Sequence, residues 1–279
     1  MFRGLLLLVF FSLSQAWGAE HKLKQYLDFL ASHKYSLESP GSYRNGEIEI
    51  VKDEKLIKEI EELMMARLLK EGYTKERAEE ASRIGILQED QYWLWVRDGV
   101  IFPTGAKGTY NRIIWKREIT DEVPRVAVLP VLPNGKIVLN LNYRHALRKW
   151  VLEIPRGYKR AYEPNEEAVK RQLKEETGYG VIKLAQLGNV SPDSGSLSAS
   201  MPVYYALLGQ RELSNQDYTE AILRLEEFSL DEIKKILADG SVSLEVNKKI
   251  EPVFVCDAYL AYAILQAEMK GLFPSRNLK

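Results

Sequence analysis

The hydrophobic and polar positions change rhythm near residue 92. Before it, apolar side chains recur three and four apart. In DEKLIKEIEELMMARLLKEG, Leu56, Ile60, Leu63, Met64 and Leu68 make one side of a helix, and Gly72 is placed for a left-handed cap. LKQYLDFLASH predicts a shorter helix ahead of it, SLESPGSYRNG a break, and TKERAEEASRIGIL a further helix. Beyond residue 92 the runs are short and rich in aromatic and branched residues. YWLWVRDG, GVIFPTG, NRIIWKREI, RVAVLPVLP and GKIVLNLNYR predict strands, the last two joined by a turn at Pro133 to Gly135. WVLEIP, VIKLAQLGNV and MPVYYALLG predict more strands on either side of a charged helix at about 165 to 176. SLDEIKKILADG predicts a helix with Ser229 and Glu232 in capping-box spacing and Gly240 as its stop. DAYLAYAILQAEMKG, from Asp257, has a broad apolar face and predicts a last helix packed on the sheet. Strands on both sides of helices give an α/β (α+β) sandwich with the sheet in the middle. The expected organisation is a mainly helical segment over 19–90 and a sheet-containing domain over 91–279.

Composition narrows the partners. The chain has 279 residues, 46% of them hydrophobic, which is enough for one sizeable core and a smaller unit. Lysine plus arginine and aspartate plus glutamate each total 39, so no global field steers nucleic acid, and an anionic substrate needs a local site. Nucleic acid is not an expected partner, since the chain also lacks an arginine-rich tail. MFRGLLLLVFFSLSQAWGAE combines Arg3, an apolar run from Leu5 to Leu13, and small residues Ala16 and Gly18. This pattern predicts a signal peptide over 1–18, an exported mature chain starting near Ala19, and no stable membrane span once the leader is removed. A cytoplasmic location is the alternative. Cys256 is the single cysteine, which excludes an intramolecular disulfide, and its apolar surroundings predict a buried side chain. His21, His33 and His145 are too scattered for a histidine metal motif.

The densest chemistry lies in GYKRAYEPNEEAVKRQLKEETGY, Gly157 to Tyr179. Pro155 and Gly157 flank Arg156, so the chain turns before the acidic segment. Pro164 suits a first helical turn and Gly178 a terminal cap. Within the helix, Val169, Leu173 and Thr177 are four apart and predict the buried face. Gln172, Glu175 and Glu176 share the neighbouring face. Arg171 can reach Glu163 or Glu167 and hold the loop against the helix. Periodicity leaves two readings open: a divalent-metal site for phosphate chemistry, or a solvated charged face with ordinary intrahelical pairs.

The full spacing adds a resemblance. Gly157, five residues, Glu163, seven residues, Arg171, Gln172, Leu173, one residue, Glu175, Glu176, one residue, Gly178 and Tyr179 resemble the Nudix hydrolase box, with Gln172 where the family has glutamate. VAVLPVLPNGKIVLNLNYRHALRKWVLEIPRG, SPDSGSLSASMPVYYA and the two closing helices resemble the ADP-ribose pyrophosphatase branch, so the similarity spans about residues 92 to 272. The resemblance implies a Nudix-like α/β/α sandwich with a mixed sheet. It also implies Mg²⁺ or Mn²⁺ held by helix carboxylates and bridging pyrophosphate oxygens.

Carried over residue by residue, Glu176 is the first candidate ligand, Glu175 the second, Gln172 stands in a ligand position, and the backbone carbonyl of Arg156 is an extra candidate. Gly157, Glu163, Arg171 and Gly178 are the structural positions of the motif. Arg144 resembles the arginine that meets phosphate, and Glu153 is a candidate for the nucleoside end or a partner subunit. Asp193 is either a base or ligand in the downstream loop or an ordinary turn residue. The implied substrate is a small nucleotide derivative, ADP-ribose or a nucleotide sugar, cleaved to a nucleoside monophosphate and a sugar phosphate. Because an amide lacks the charge that draws a hard cation, Gln172 keeps a second reading open: a catalytically inactive Nudix fold serving as a nucleotide-binding or protein-interaction module. The resemblance also leaves a homodimer open.

Overall fold

The structure is a computed structural model and describes residues 23–32, 39–116, 125–212 and 221–274. The predicted leader lies outside the described residues. Among those described, no helix is long and apolar enough to cross a membrane. The chain divides into two compact units, one running to Thr120 and including Asp193–Ala199, the other holding Asp121–Pro192 and Ser200–Lys279.

The first unit contains a helix over 23–31 (α1), strand β1 (Glu49–Ile50), helices α2 (Glu54–Lys70) and α3 (Lys75–Ser82), and strands β2 (Gly85–Glu89), β3 (Trp93–Ile101) and β4 (Lys107–Trp115). The sequence reading set a boundary near residue 90. Compactness instead groups β2, β3 and β4 with the helices, because Leu94, Val96 and Ile114 bury against Tyr26, Leu30, Ile57 and Ile60. YWLWVRDG and GVIFPTG are one strand, not two, since all of β3 pairs antiparallel with β4. α2 buries Ile57 and Ile60, whereas Leu63, expected on its apolar side, is 50% exposed. One buried ion pair ties this unit together: Asp98 accepts from Tyr26 at 2.8 Å and from Arg112 at 2.5 Å. The segment 196–198 lies along β4, with Ile113 donating to the Ser196 carbonyl and Ser198 to the Ile113 carbonyl.

The second unit is built on a mixed sheet. Its strands are β5 (Arg125–Val131), β6 (Ile137–Arg144), β7 (Lys149–Glu153), β8 (Arg156–Tyr158), β9 (Tyr179–Val190), β10 (Met201–Arg211), β11 (Ile222–Phe228), β12 (Ser241–Val246) and β13 (Lys249–Phe254). The order runs β12-β13-β7-β6-β5-β10-β9, with β11 beside β6 and β8 beside β5. β10 runs parallel to β5 and β13 to β7, and the other pairings are antiparallel.

Its helices are α4 (Asn165–Thr177), α5 (Leu230–Asp239) and α6 (Ala258–Met269). Alternation sorts the two faces of the sheet. Val126, Val128, Val138, Tyr204 and Ala206 pack with Ala168, Val169 and Leu173 of α4. Leu129 and its parallel neighbour Tyr205 have the opposite parity, and the Tyr205 ring meets Phe273 just beyond α6. The architecture is therefore a mixed sheet between helices, as the sequence leads one to expect. Ser229 and Glu232 form the anticipated capping box of α5. Cys256 differs from expectation. It is exposed because Val255 and Asp257 take the inward positions on either side of it.

Candidate active site

α4 is the only one of the five longer helices with assigned caps that starts without a side-chain cap. Asp53, Thr74, Ser229 and Asp257 cap α2, α3, α5 and α6, whereas Pro164 at the start of α4 has no such side chain. The start of α4 is instead held in place by a strap from within the helix, which fixes the approach loop against it. Arg171 grips Glu163 with Nε and Nη2 at 2.8 and 2.7 Å. The same guanidinium donates to Glu175 at 2.8 Å and to the Tyr158 carbonyl at 2.8 Å. Glu163 in turn accepts from the Arg160 amide at 2.8 Å. One side chain thus joins the approach loop, β8 and the last turn of α4. The Arg171 bonds hold the Glu163 carboxyl down at about 2. At the far end, Gly178 at φ 77 donates to the Lys174 carbonyl and stops the helix.

The three candidate ligands on α4 meet different surroundings. Glu176 is 2% exposed and accepts from Asn140 Nδ2 at 2.5 Å. Glu175 is partly open to solvent and pairs with both Arg171 and Arg160. Gln172 is 7% exposed, lies against the Gly157 backbone, and donates from Nε2 to the Tyr158 carbonyl at 3.3 Å. Lys174, which the sequence places beside the carboxylates, turns away to Glu212.

A second constellation adjoins the first. Asn140, Asn142 and Arg144 alternate along β6, on the same face as Val138 and hence the α4 face. Glu153 sits across from Asn140 in register. It accepts from Asn142 at 2.8 Å, from Arg144 at 2.7 and 2.5 Å, and from Arg156 at 3.0 Å. Arg156 continues to Asp257 at 3.0 Å, and Asp257 also caps α6 and accepts from the Ile154 amide. Burial alone would lower the Arg156 pKa. The two carboxylates outweigh it and the net shift is upward. For Asp257 burial wins, and its carboxyl is pushed up in spite of Arg156.

Arg144 and Glu153, singled out separately from sequence, are therefore partners, with Nε and Nη2 of Arg144 committed to the carboxylate. Arg156 was singled out for its backbone carbonyl, and its side chain proves to be the link between β7, β8 and α6. Asn140, Asn142 and Asp257 were not foreseen. The only signal for the asparagines was a polar residue at every second position of LNLNYR. Asp193 makes a turn with Ser196 and the Gly195 amide, and the Ser196 hydroxyl lowers its pKa. It groups with the first unit.

The donor set can be tested against the divalent cation that the box implies. Among the described residues no three or more His, Cys, Asp or Glu side chains come together as a metal cluster. Mg²⁺ does not need such a cage, because it binds through one or two carboxylates and completes its shell with water and substrate phosphate. Glu175 and Glu176, adjacent at the end of α4, are the two carboxylates of the box helix that would hold one ion of that kind, with both Glu175 oxygens engaged by Arg160 and Arg171 here. With Gln172 neutral, the residues do not fit a carboxylate-rich site for several ions.

Comparison with known proteins places the chain in a family. No family model matches the chain. An ADP-ribose pyrophosphatase of Bacillus subtilis (strain 168) is 31% identical over 160 residues, covering 56% of this chain and 77% of the relative. The chain belongs to the Nudix hydrolase superfamily, in its ADP-ribose pyrophosphatase branch. A methanol dehydrogenase activator of Bacillus methanolicus is 31% identical over 128 residues, 46% of this chain and 69% of the relative. A solved structure titled as an ADP compounds hydrolase aligns with a TM-score of 0.52 at 20% identity, over 69% of this chain and 94% of the other, and shows the shared fold. Membership makes the chain a Nudix enzyme of the pyrophosphatase kind, carrying an amide at one box position.

Proposed function

We infer that this Nudix enzyme hydrolyses the pyrophosphate bond of a nucleoside diphosphate linked to a second group, with ADP-ribose as the first candidate and nucleotide sugars next. Water adds across the P–O–P linkage, giving a nucleoside monophosphate and a sugar phosphate, AMP and ribose 5-phosphate from ADP-ribose. The observation that carries this reading is the retained pair Glu175 and Glu176, set on a helix strapped by Arg171, in a chain 31% identical to an ADP-ribose pyrophosphatase. Glu176 and Glu175 are the residues that would hold Mg²⁺ or Mn²⁺, which supplies charge neutralisation at the phosphate oxygens and a more acidic water. Arg144, clamped by Glu153, presents the outer edge of its guanidinium as a fixed cation for a phosphate oxygen. Export of the mature chain and a homodimer belong to the same proposal.

The test is release of nucleoside monophosphate from ADP-ribose and a panel of nucleotide sugars, with each metal scanned. Loss of a Lewis acid is worth several kcal/mol, so Glu176→Gln is expected to lower kcat/KM by about 100-fold or more. The second reading, a Nudix fold that binds a nucleotide or a protein without turnover, is favoured by the neutral amide at Gln172. Turnover absent from the wild-type chain and present only in Gln172→Glu would mean a disabled catalytic helix and move the search to what the intact fold binds.

A further inference from the structure

Gln172 is held as a structural contact. A Cβ added to Gly157 would overlap its Cδ, Nε2 and Oε1, so the amide lies flat on a stretch of β8 kept bare for it. Its Nε2 donates to the Tyr158 carbonyl, the oxygen that Arg171 also uses. One helical turn on stands Glu176, 2% exposed.

A carboxylate at this position would have the same shape and no N–H. It would set an anionic oxygen toward the Tyr158 carbonyl oxygen and place a second buried charge on the face of Glu176. Burial and like charge both disfavour the ionised form, and a divalent ion is the direct remedy for both. An amide removes the need for that ion by making a hydrogen bond in its place.

We propose that Gln172 is a neutral strut: it ties α4 to β8 without a metal, so that the box helix keeps its shape in the absence of cation and takes a single divalent ion on Glu175 and Glu176. The one-ion statement rests on the metal-site reading given under Proposed function. The strut does not. Gln172 acts here as a positioning residue.

The experiment compares the full chain with Gln172→Glu and Gln172→Leu by thermal unfolding in EDTA and in Mn²⁺, and counts bound Mn²⁺ by electron paramagnetic resonance of the free ion. In EDTA the Gln172→Glu chain is expected to melt about 3 °C or more below wild type, and Mn²⁺ to close that gap through preferential binding to the folded state. Gln172→Leu, with neither donor nor charge, is expected to melt lower in EDTA and to keep its deficit in Mn²⁺. Wild type is expected to bind one Mn²⁺ per chain and Gln172→Glu one more.

Equal melting of wild type and Gln172→Glu in EDTA overturns the strut, as does a deficit in Gln172→Glu that Mn²⁺ fails to restore. A wild-type chain that binds two ions, or none, overturns the one-ion statement, and this count needs no variant to fold. Failure to cleave any nucleotide substrate with one Mn²⁺ bound would sink the catalytic reading and leave the strut standing.

Discussion

Helices α2 and α4 are built from similar material and use it in opposite ways. Both are dense in glutamate, lysine and arginine. The 17 residues of α2 fully bury only Ile57 and Ile60. The 13 residues of α4 bury six, among them Gln172 and Glu176. Their ion pairs differ in the same sense. Arg67 on α2 and Glu71 at its carboxyl-terminal cap have side chains 71% and 47% exposed, whereas Arg171 and Glu163 are 17% and 13% exposed. An exposed pair is screened by water and held at an entropic cost. A shielded one with bidentate geometry is neither well screened nor free to leave. Charge content therefore does not distinguish a solvated helix face from a working one. What distinguishes them is how far partners outside the helix enclose the charges: Glu59 of α2 pairs with Lys107 in the open and Glu61 accepts one amide from Ile84, whereas Arg171 is enclosed by Glu163 and the Tyr158 carbonyl.

The sharpest way to break this comparison is Arg171→Ala. It removes the Arg171 bonds to Glu163, Glu175 and the Tyr158 carbonyl and leaves Arg160 as the remaining partner of both carboxylates, so a loss of about 3 kcal/mol is expected, at the upper end for hydrogen bonds to charged groups. Chemical denaturation would check it, and a loss below about 1 kcal/mol would place α4 with the solvated helices.

Next comes Gly157→Ala. The added Cβ overlaps the Gln172 amide, and overpacking of this kind costs about 1–3 kcal/mol. Gly157→Ala combined with Gln172→Ala should recover part of that loss, because the two sites share one contact. Additive losses would show that strand geometry, not the amide, demands the glycine.

Acid sharpens the contrast further. Glu163 is held at about 2 against an ordinary value of 4.5. A depressed folded-state pKa means the Glu163 contribution is complete above about 4.5, begins to fade below that, and is gone once pH has fallen through about 2. Stability measured from pH 5 to pH 2 should fall with a steeper slope in wild type than in Glu163→Gln. Parallel curves would mean that the Arg171 strap does not hold in solution.

Much of α4 was legible in sequence because its cues are local. Val169, Leu173 and Thr177 follow helical spacing, Gly178 is a cap, and Arg171 lies within reach of Glu163. The partners of the site residues were not legible, since they are set by sheet pairing. Asn140 meets Glu176 and Asp257 meets Arg156 only after β5, β6, β7 and α6 are assembled. Alternating asparagines in IVLNLNYR carry no local mark of burial, yet both are buried, Asn140 against Glu176 and Asn142 against Glu153. The β12–β13 hairpin escaped for another reason. Its two-residue turn is Asn247–Lys248, with φ of 50 and 66, so the usual glycine signal is absent. β11, at Ile222–Phe228, carries Arg224, Glu226 and Glu227 and lacks a clean period of two.

The smallest effect belongs to α2 and is the control for the rest. Arg67 donates to Glu71 at 2.9 Å, one turn apart, near the carboxyl end of the helix. Arg67 there favours the helix dipole and Glu71 opposes it, so the pair and the dipole terms partly offset one another. Arg67→Ala is expected to cost no more than about 0.5 kcal/mol, and less as salt is added, while Glu71→Ala should be close to neutral. If Arg67→Ala instead cost as much as Arg171→Ala, exposure would not be what separates the two helices, and α4 would lose its claim to be the fixed one.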